Sequence, residues 1–122
     1  MKQEIVVSIQ PHKNGLLATC KDIEGVTSFG YDWGAVKRNY SKRIKTAYPK
    51  GIQSWFVLDI PYLLSTYTIF TAQILSSYTG INSNDMTMFA VGDKFPTEEQ
   101  SIQILKGLHE FSNIFYNRFG RD

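Results

Sequence analysis

Little in this chain of 122 residues can be oxidised, cross-linked or used to hold a metal. There is one cysteine, Cys20, and two histidines, His12 and His109. A lone thiol excludes an internal disulfide, and one thiol with two scattered imidazoles falls short of the four ligands of a structural zinc site. A catalytic reading of Cys20 with either histidine lacks an orienting acid at a recognisable spacing, so Cys20 is expected in the core, His12 in a turn and His109 at a helix surface or boundary. No GxGxxG or Walker spacing occurs; Gly25 and Gly30 read as turn glycines, and no cofactor is expected. Only four prolines are present, with no repeat and no low-complexity run. Nothing therefore divides the chain, and its length is that of one ordinary domain.

Charge is missing from Ile60 to Asn84, long enough to be tested as a membrane span. Ser65, Thr66, Thr68, Thr71, Gln73, Ser76, Ser77 and Thr79 scatter polar groups through it, so a half-buried helix is expected and no membrane partner. The start, Met1-Lys2-Gln3-Glu4, runs straight into a strand pattern without the features of a leader, and the expected location is the cytoplasm. Acid is missing from Lys37 to Lys50, where Lys37, Arg38, Lys42, Arg43, Lys45 and Lys50 stand together although the whole chain carries only +2. Such a run serves either as a solvated helix face or as a surface for an acidic partner or a phosphate backbone.

What is present is enough to fold: 43% of residues are apolar and 14% aromatic. Ile5 to Ile9 is β-branched and short, and Pro11-His12-Lys13-Asn14-Gly15 closes it as a hairpin, with Asn14-Gly15 suited to positive φ. Leu16 to Lys21 is the returning strand, Asp22-Ile23-Glu24-Gly25 a turn, and Val26 to Phe29 a third strand. Asp32 stands at an N-cap position before a helix whose stripe is Val36, Tyr40, Ile44, Ala47 and Tyr48, which turns Lys37, Arg38, Lys42 and Lys45 to water. Ile52 to Ile60 reads as a strand buried on both faces. Pro61 opens a second helix with Leu63, Leu64, Tyr67, Ile74, Leu75 and Tyr78 on one face, ended by Gly80; Met86 to Val91 reads as a short strand. Thr97-Glu98-Glu99-Gln100 is a capping box for a last helix lined by Ile102, Leu105, Leu108, Ser112, Phe115 and Phe119 and closed by Arg118, Gly120 and Arg121.

The expected class is α+β with a mixed sheet, in the order β-β-β-α-β-α-β-α. That order resembles the RNase H-like fold. Residues 4–60 also resemble the HicB-type antitoxins of bacterial toxin–antitoxin pairs, through Lys21-Asp22-Ile23-Glu24-Gly25, then Gly30, then Val36, Tyr40 and Ile44; residues 61–122 would be an α-β-α extension. The resemblance implies a non-enzymatic protein that neutralises a small toxin, a nuclease above all, by covering it. An immunity protein of an interbacterial toxin asks for the same kind of small rigid domain. The family's appended DNA-binding module is not expected here, because the second half offers neither a ribbon-helix-helix nor two short helices with a tight turn.

The residues expected to meet a partner are Asp22 and Glu24 in the turn, Tyr31 and Trp33 at the strand-to-helix handover, and Lys37, Arg38, Lys42 and Lys45 on the first helix. Phe29 is expected to face the sheet interior. Two further readings stand beside this one. A nucleic-acid-binding module would use the basic helix. A metal nuclease would centre on Asp59, with Asp93 or Glu98 approaching, but the first strand and first helix supply no acids, so neither a catalytic nor a metal-binding residue is expected. An open sheet edge also allows a homodimer.

Overall fold

The computed structural model describes residues 4–13, 15–67 and 70–119, with side chains as far as Glu110. Over these residues the chain forms β1 (Glu4–His12), β2 (Gly15–Thr19), β3 (Ser28–Gly30), α1 (Trp33–Ala47), β4 (Gln53–Leu58), α2 (Ile60–Thr66), α3 (Ala72–Thr79), α4 (Ser83–Val91) and α5 (Glu98–Phe119). Among the described residues the protein is mixed α+β, with a four-stranded mixed sheet and five helices. It falls into two compact units, Met1–Asp59 and Ile60–Asp122. The first holds nine Lys and Arg against five Asp and Glu, a formal +4, and the second four against six, a formal −2.

In the first unit the strand order is β3-β2-β1-β4. β1 and β2 are antiparallel and close on the pair His12↔Gly15, so the connection is a two-residue turn. Lys13 takes φ 52° there, the positive φ that such turns need to follow strand twist. Positive φ was expected of Asn14-Gly15; Asn14 lies outside the described residues, Gly15 belongs to β2, and His12 ends β1 rather than sitting in the turn. β4 runs parallel to β1, from Glu4↔Gln53 to Ile9↔Leu58. Alternation sends Ile5, Val7, Ile9, Ala18, Phe56 and Leu58 to one buried face, met by Val36, Tyr40 and Ile44 of α1. Val6, Gln10, Leu17, Phe29 and Trp55 occupy the other.

The helix starts where the sequence places it, because the Asp32 carboxylate accepts from the Ala35 N–H at 2.7 Å, satisfying a donor that the helix itself cannot. Its stripe is shorter than expected: Ala47 is exposed and Tyr48, half-buried, is the C-cap. Two side-chain bonds fasten α1 to β3. The Ser28 hydroxyl donates to the Val36 carbonyl at 3.2 Å, and the Asn39 amide donates to the Phe29 carbonyl at 2.7 Å. Gly30 makes the approach possible, since a Cβ there would lie 2.7 Å from the Ala35 carbonyl carbon and from Val36 Cα. β4 is buried only over Phe56 to Leu58; Trp55 is 51% exposed, so burial on both faces does not extend along the whole strand.

The second unit departs further from the expected order. The single helix after Pro61 is two, α2 and α3, because the Thr71 hydroxyl accepts from the Ile74 N–H at 3.1 Å and starts a new helix. The strand expected at Met86–Val91 is helical, the greater part of α4. Asn82 caps it by accepting from the Asp85 N–H at 2.8 Å, Gly92 ends it at φ 83°, and Met86 and Phe89, three residues apart, are its buried pair. Strong caps at both ends override the strand-like run of apolar residues. The capping box of α5 forms as written: the Gln100 N–H donates to the Thr97 hydroxyl at 3.0 Å and the Thr97 N–H to the Gln100 side chain at 2.9 Å. Its buried face is displaced by one residue, to Ser101, Ile104 and Gly107, leaving Ile102, Leu105 and Leu108 half-buried. Gly107 sets this, for a Cβ there would lie 2.7 Å from Thr79 Cγ2 and 3.1 Å from the Tyr78 carbonyl oxygen. The side chains of Ser112, Phe115, Arg118 and Phe119, with Gly120 and Arg121, lie outside the described residues. Among the described residues no helix is long and apolar enough to cross a membrane.

Candidate functional site

Two surfaces carry chemistry, one in each unit. In the first, the α1 cations are displayed as expected for Arg38, Lys42 and Lys45, all exposed. Lys37 is half-buried, its Nζ 5.4 Å from the centroid of the Phe56 ring, where the ring quadrupole attracts it. Asp22 and Glu24 are exposed in the β2–β3 turn. The aromatic group divides: Tyr31 is 77% exposed, whereas Trp33 is 8% exposed and its Nε1 has no hydrogen-bond partner among the described residues. Trp33 is therefore a core residue and not a free anchor. Phe29 lies on the sheet face away from α1, half-buried, with its ring edge-on to His12 at 6.2 Å and to Tyr31 at 5.2 Å; it does not face the sheet interior as expected.

Three further reactive groups of the first unit are Cys20, Tyr40 and Asp59. Cys20 is buried and free. Beside it Tyr40 has no solvent exposure, and among the described residues its hydroxyl meets no partner beyond the weak Cys20 thiol. Burial first, then the neighbouring Cys20, push the Tyr40 phenol up to about 12. Asp59 is half-buried and its N–H donates to the Ile9 carbonyl at 2.9 Å. Among the described residues no three of His, Cys, Asp and Glu gather where they could hold a metal ion.

The second surface is one that the sequence pattern concealed. α3 and α4 are two short helices joined by Gly80-Ile81-Asn82 alone. Gly80 takes the left-handed conformation, φ 78°, and its N–H bonds to the Ser76 carbonyl at 3.0 Å. Ile81 is buried; its carbonyl accepts from the Ser76 hydroxyl at 2.5 Å and its N–H donates to the Thr79 hydroxyl at 3.3 Å. The Gln103 amide of α5 donates to the Thr79 carbonyl. Leu75, Ile81, Met86 and Phe89 are buried behind the turn. The outward face of α4 carries Ser83, Asn84, Thr87, Met88 and Val91, all exposed. The sequence pattern predicts no pair of short helices with a tight turn; α3 and α4 are such a pair, joined by three residues that include a glycine, which is one part of what a helix-turn-helix requires. The signal was there in Gly80 followed by Asn82, a C-terminal stop and an N-terminal start two residues apart.

Comparison with family models, with curated proteins and with solved structures found no match to this chain.

Proposed function

We propose that this chain is a toxin-neutralising protein of the HicB-like kind, whose first unit covers a small toxin and whose second unit binds duplex DNA. The observation that carries the reading is the α3–Gly80-Ile81-Asn82–α4 hairpin, with its locked turn and its exposed α4 face. In a helix-turn-helix the second helix enters the major groove and its N-terminal residues touch base edges. Ser83, Asn84 and Thr87 are the side chains so placed; Asn suits adenine, Ser and Thr either base, and the exposed Met88 suits a thymine methyl. The unit carries −2 by sequence, so phosphate contacts there come mainly from backbone N–H groups and neutral side chains.

Support for the toxin-binding half is the β-β-β-α-β order of the first unit, with β4 parallel to β1. It accords with the opening of the RNase H-like order and with the resemblance carried by Asp22, Gly25 and Gly30.

Both halves have a direct test. Selection of duplexes from a randomised library should enrich a defined site, and Asn84→Ala with Thr87→Ala should abolish enrichment while circular dichroism stays unchanged. The Lys37→Glu/Lys42→Glu variant reports whether α1 adds phosphate contacts, as a shallower fall of affinity with salt. For the first half, a small protein should co-purify stoichiometrically after nuclease treatment, degrade RNA when freed, and stop when this chain is restored. No enriched duplex sinks the DNA half; no such protein sinks the other.

A further inference from the structure

We infer that the outer edge of β4 at its start, Gln53 to Trp55, beneath α1, is a docking site for an extended acidic segment of a partner protein, which pairs there as a fifth strand. The inference deepens the toxin-binding reading by naming the chemistry the partner brings. β4 ends the sheet, with β1 its one strand neighbour among the described residues. An end strand presents backbone donors and acceptors that another chain can complete. Beside this edge a groove of about 390 Å³ opens between the second half of α1 and the start of β4. Its floor is apolar, made by Ile44, Ile52 and Phe56, with Ser54 at the strand. Lys42 and Lys45 stand at its rim, both exposed.

Strand geometry turns these residues into a sequence preference. Successive side chains of an added strand point to opposite faces. Ser54 and Phe56 lie on the α1 side of the sheet and Trp55 on the other. Every second residue of the incoming strand would therefore enter the groove. A glutamate there lays its methylenes on Ile44, Ile52 and Phe56 and brings its carboxylate to Lys42 and Lys45. The residues between face the side of Trp55, which is 51% exposed, and are apolar. No acid occurs between Lys37 and Lys50 to neutralise the rim from within the helix. The pattern required is glutamate alternating with an apolar, β-branched residue.

The probe is a synthetic eight-residue peptide of alternating Glu and Val, titrated into the full chain with backbone amide shifts and tryptophan emission as readouts. Binding should saturate with a Kd of about 0.1 mM. Shifts should centre on Gln53 to Trp55, with a blue shift from Trp55, and Lys42→Glu/Lys45→Glu should weaken binding by about tenfold or more. A peptide with Lys in place of Glu, and one with a central Pro, should not bind. No shift up to about 1 mM, or binding indifferent to the charge reversal, overturns the inference. So does a concentration-dependent dimer that the same reversal dissociates, since the edge would then belong to a second copy. Its failure is separable from that of the function proposed above: co-purification of a toxin can succeed while the peptide fails, and the reverse.

Discussion

Replacing Tyr40 by phenylalanine should stabilise the first unit, against the usual direction of core substitutions. Tyr40 is wholly buried and packs edge-on to Phe56 at 6.1 Å between ring centroids. Phenylalanine keeps that ring and removes a hydroxyl that, among the described residues, meets no partner stronger than the weakly bonding Cys20 thiol. An unpaired buried hydroxyl costs about 1–3 kcal/mol. Allowing for the small void left behind, Tyr40→Phe should gain about 1 kcal/mol near neutral pH. A second effect appears in alkali. The native phenol is pushed up to about 12, whereas that of the unfolded chain ionises near 10.0. Between these values the unfolded state releases a proton that the native state keeps. The native state's advantage is thus intact below pH about 10 and lost as the pH rises through about 12, by roughly 2–3 kcal/mol in all. Urea unfolding at a series of pH values measures both effects. Tryptophan emission is the selective probe, because both tryptophans, Trp33 and Trp55, belong to the first unit. The gap between variant and parent should widen as alkali is added. A variant less stable than the parent by more than about 1 kcal/mol at neutral pH, or an unchanged gap in alkali, would refute the reasoning.

Gly30→Ala should destabilise the same unit by about 3 kcal/mol, because its Cβ meets the backbone of Ala35 and Val36, which can yield only by moving α1 off β3; the same tryptophan-monitored titration reads the loss. In the second unit Asn82→Ala should cost about 1 kcal/mol by removing the α4 cap at Asp85, and it should weaken duplex binding beyond that loss by loosening the turn. A variant with unchanged urea midpoint in far-ultraviolet circular dichroism would show that the cap contributes nothing.

Local signals carried most of the first unit. Asp32, the alternation of Ile5, Val7 and Ile9, and the spacing of Val36, Tyr40 and Ile44 each specify structure within a few residues, and each is where periodicity puts it. Phe29 was misplaced because its face depends on register across β2 and β3, which is a long-range property; Trp33 opens α1 three residues before Val36 and shares the buried stripe of Val36, Tyr40 and Ile44. In the second unit the apolar run at Met86 to Val91 suits a strand as well as a helix, and only the caps at Asn82 and Gly92 decide between them. The face of α5 was displaced because Gly107, with no apolar side chain to count in a hydrophobic pattern, is the residue that lets the helix approach α3. Of the candidate site, the cations of α1 were legible, and of the α3–α4 hairpin only the stop at Gly80 and the start at Asn82. Its turn is made by side-chain bonds from Ser76, Thr79 and Gln103 that no periodicity reveals.

The pairing of β1 with both β2 and β4 has a consequence for synthesis. β2 reaches β1 across a two-residue turn, but Glu4 meets Gln53 only after the whole of α1 has been made. Pairing across so long a loop is slow and entropically costly. A ribosome that has released only the hairpin and α1 therefore presents β1 with one side unsatisfied and Ile5, Val7 and Ile9 partly uncovered. A nascent chain paused before Leu58 would be a substrate for chaperones and proteases, and the stretch Gln53–Leu58 is the point at which it becomes resistant to them.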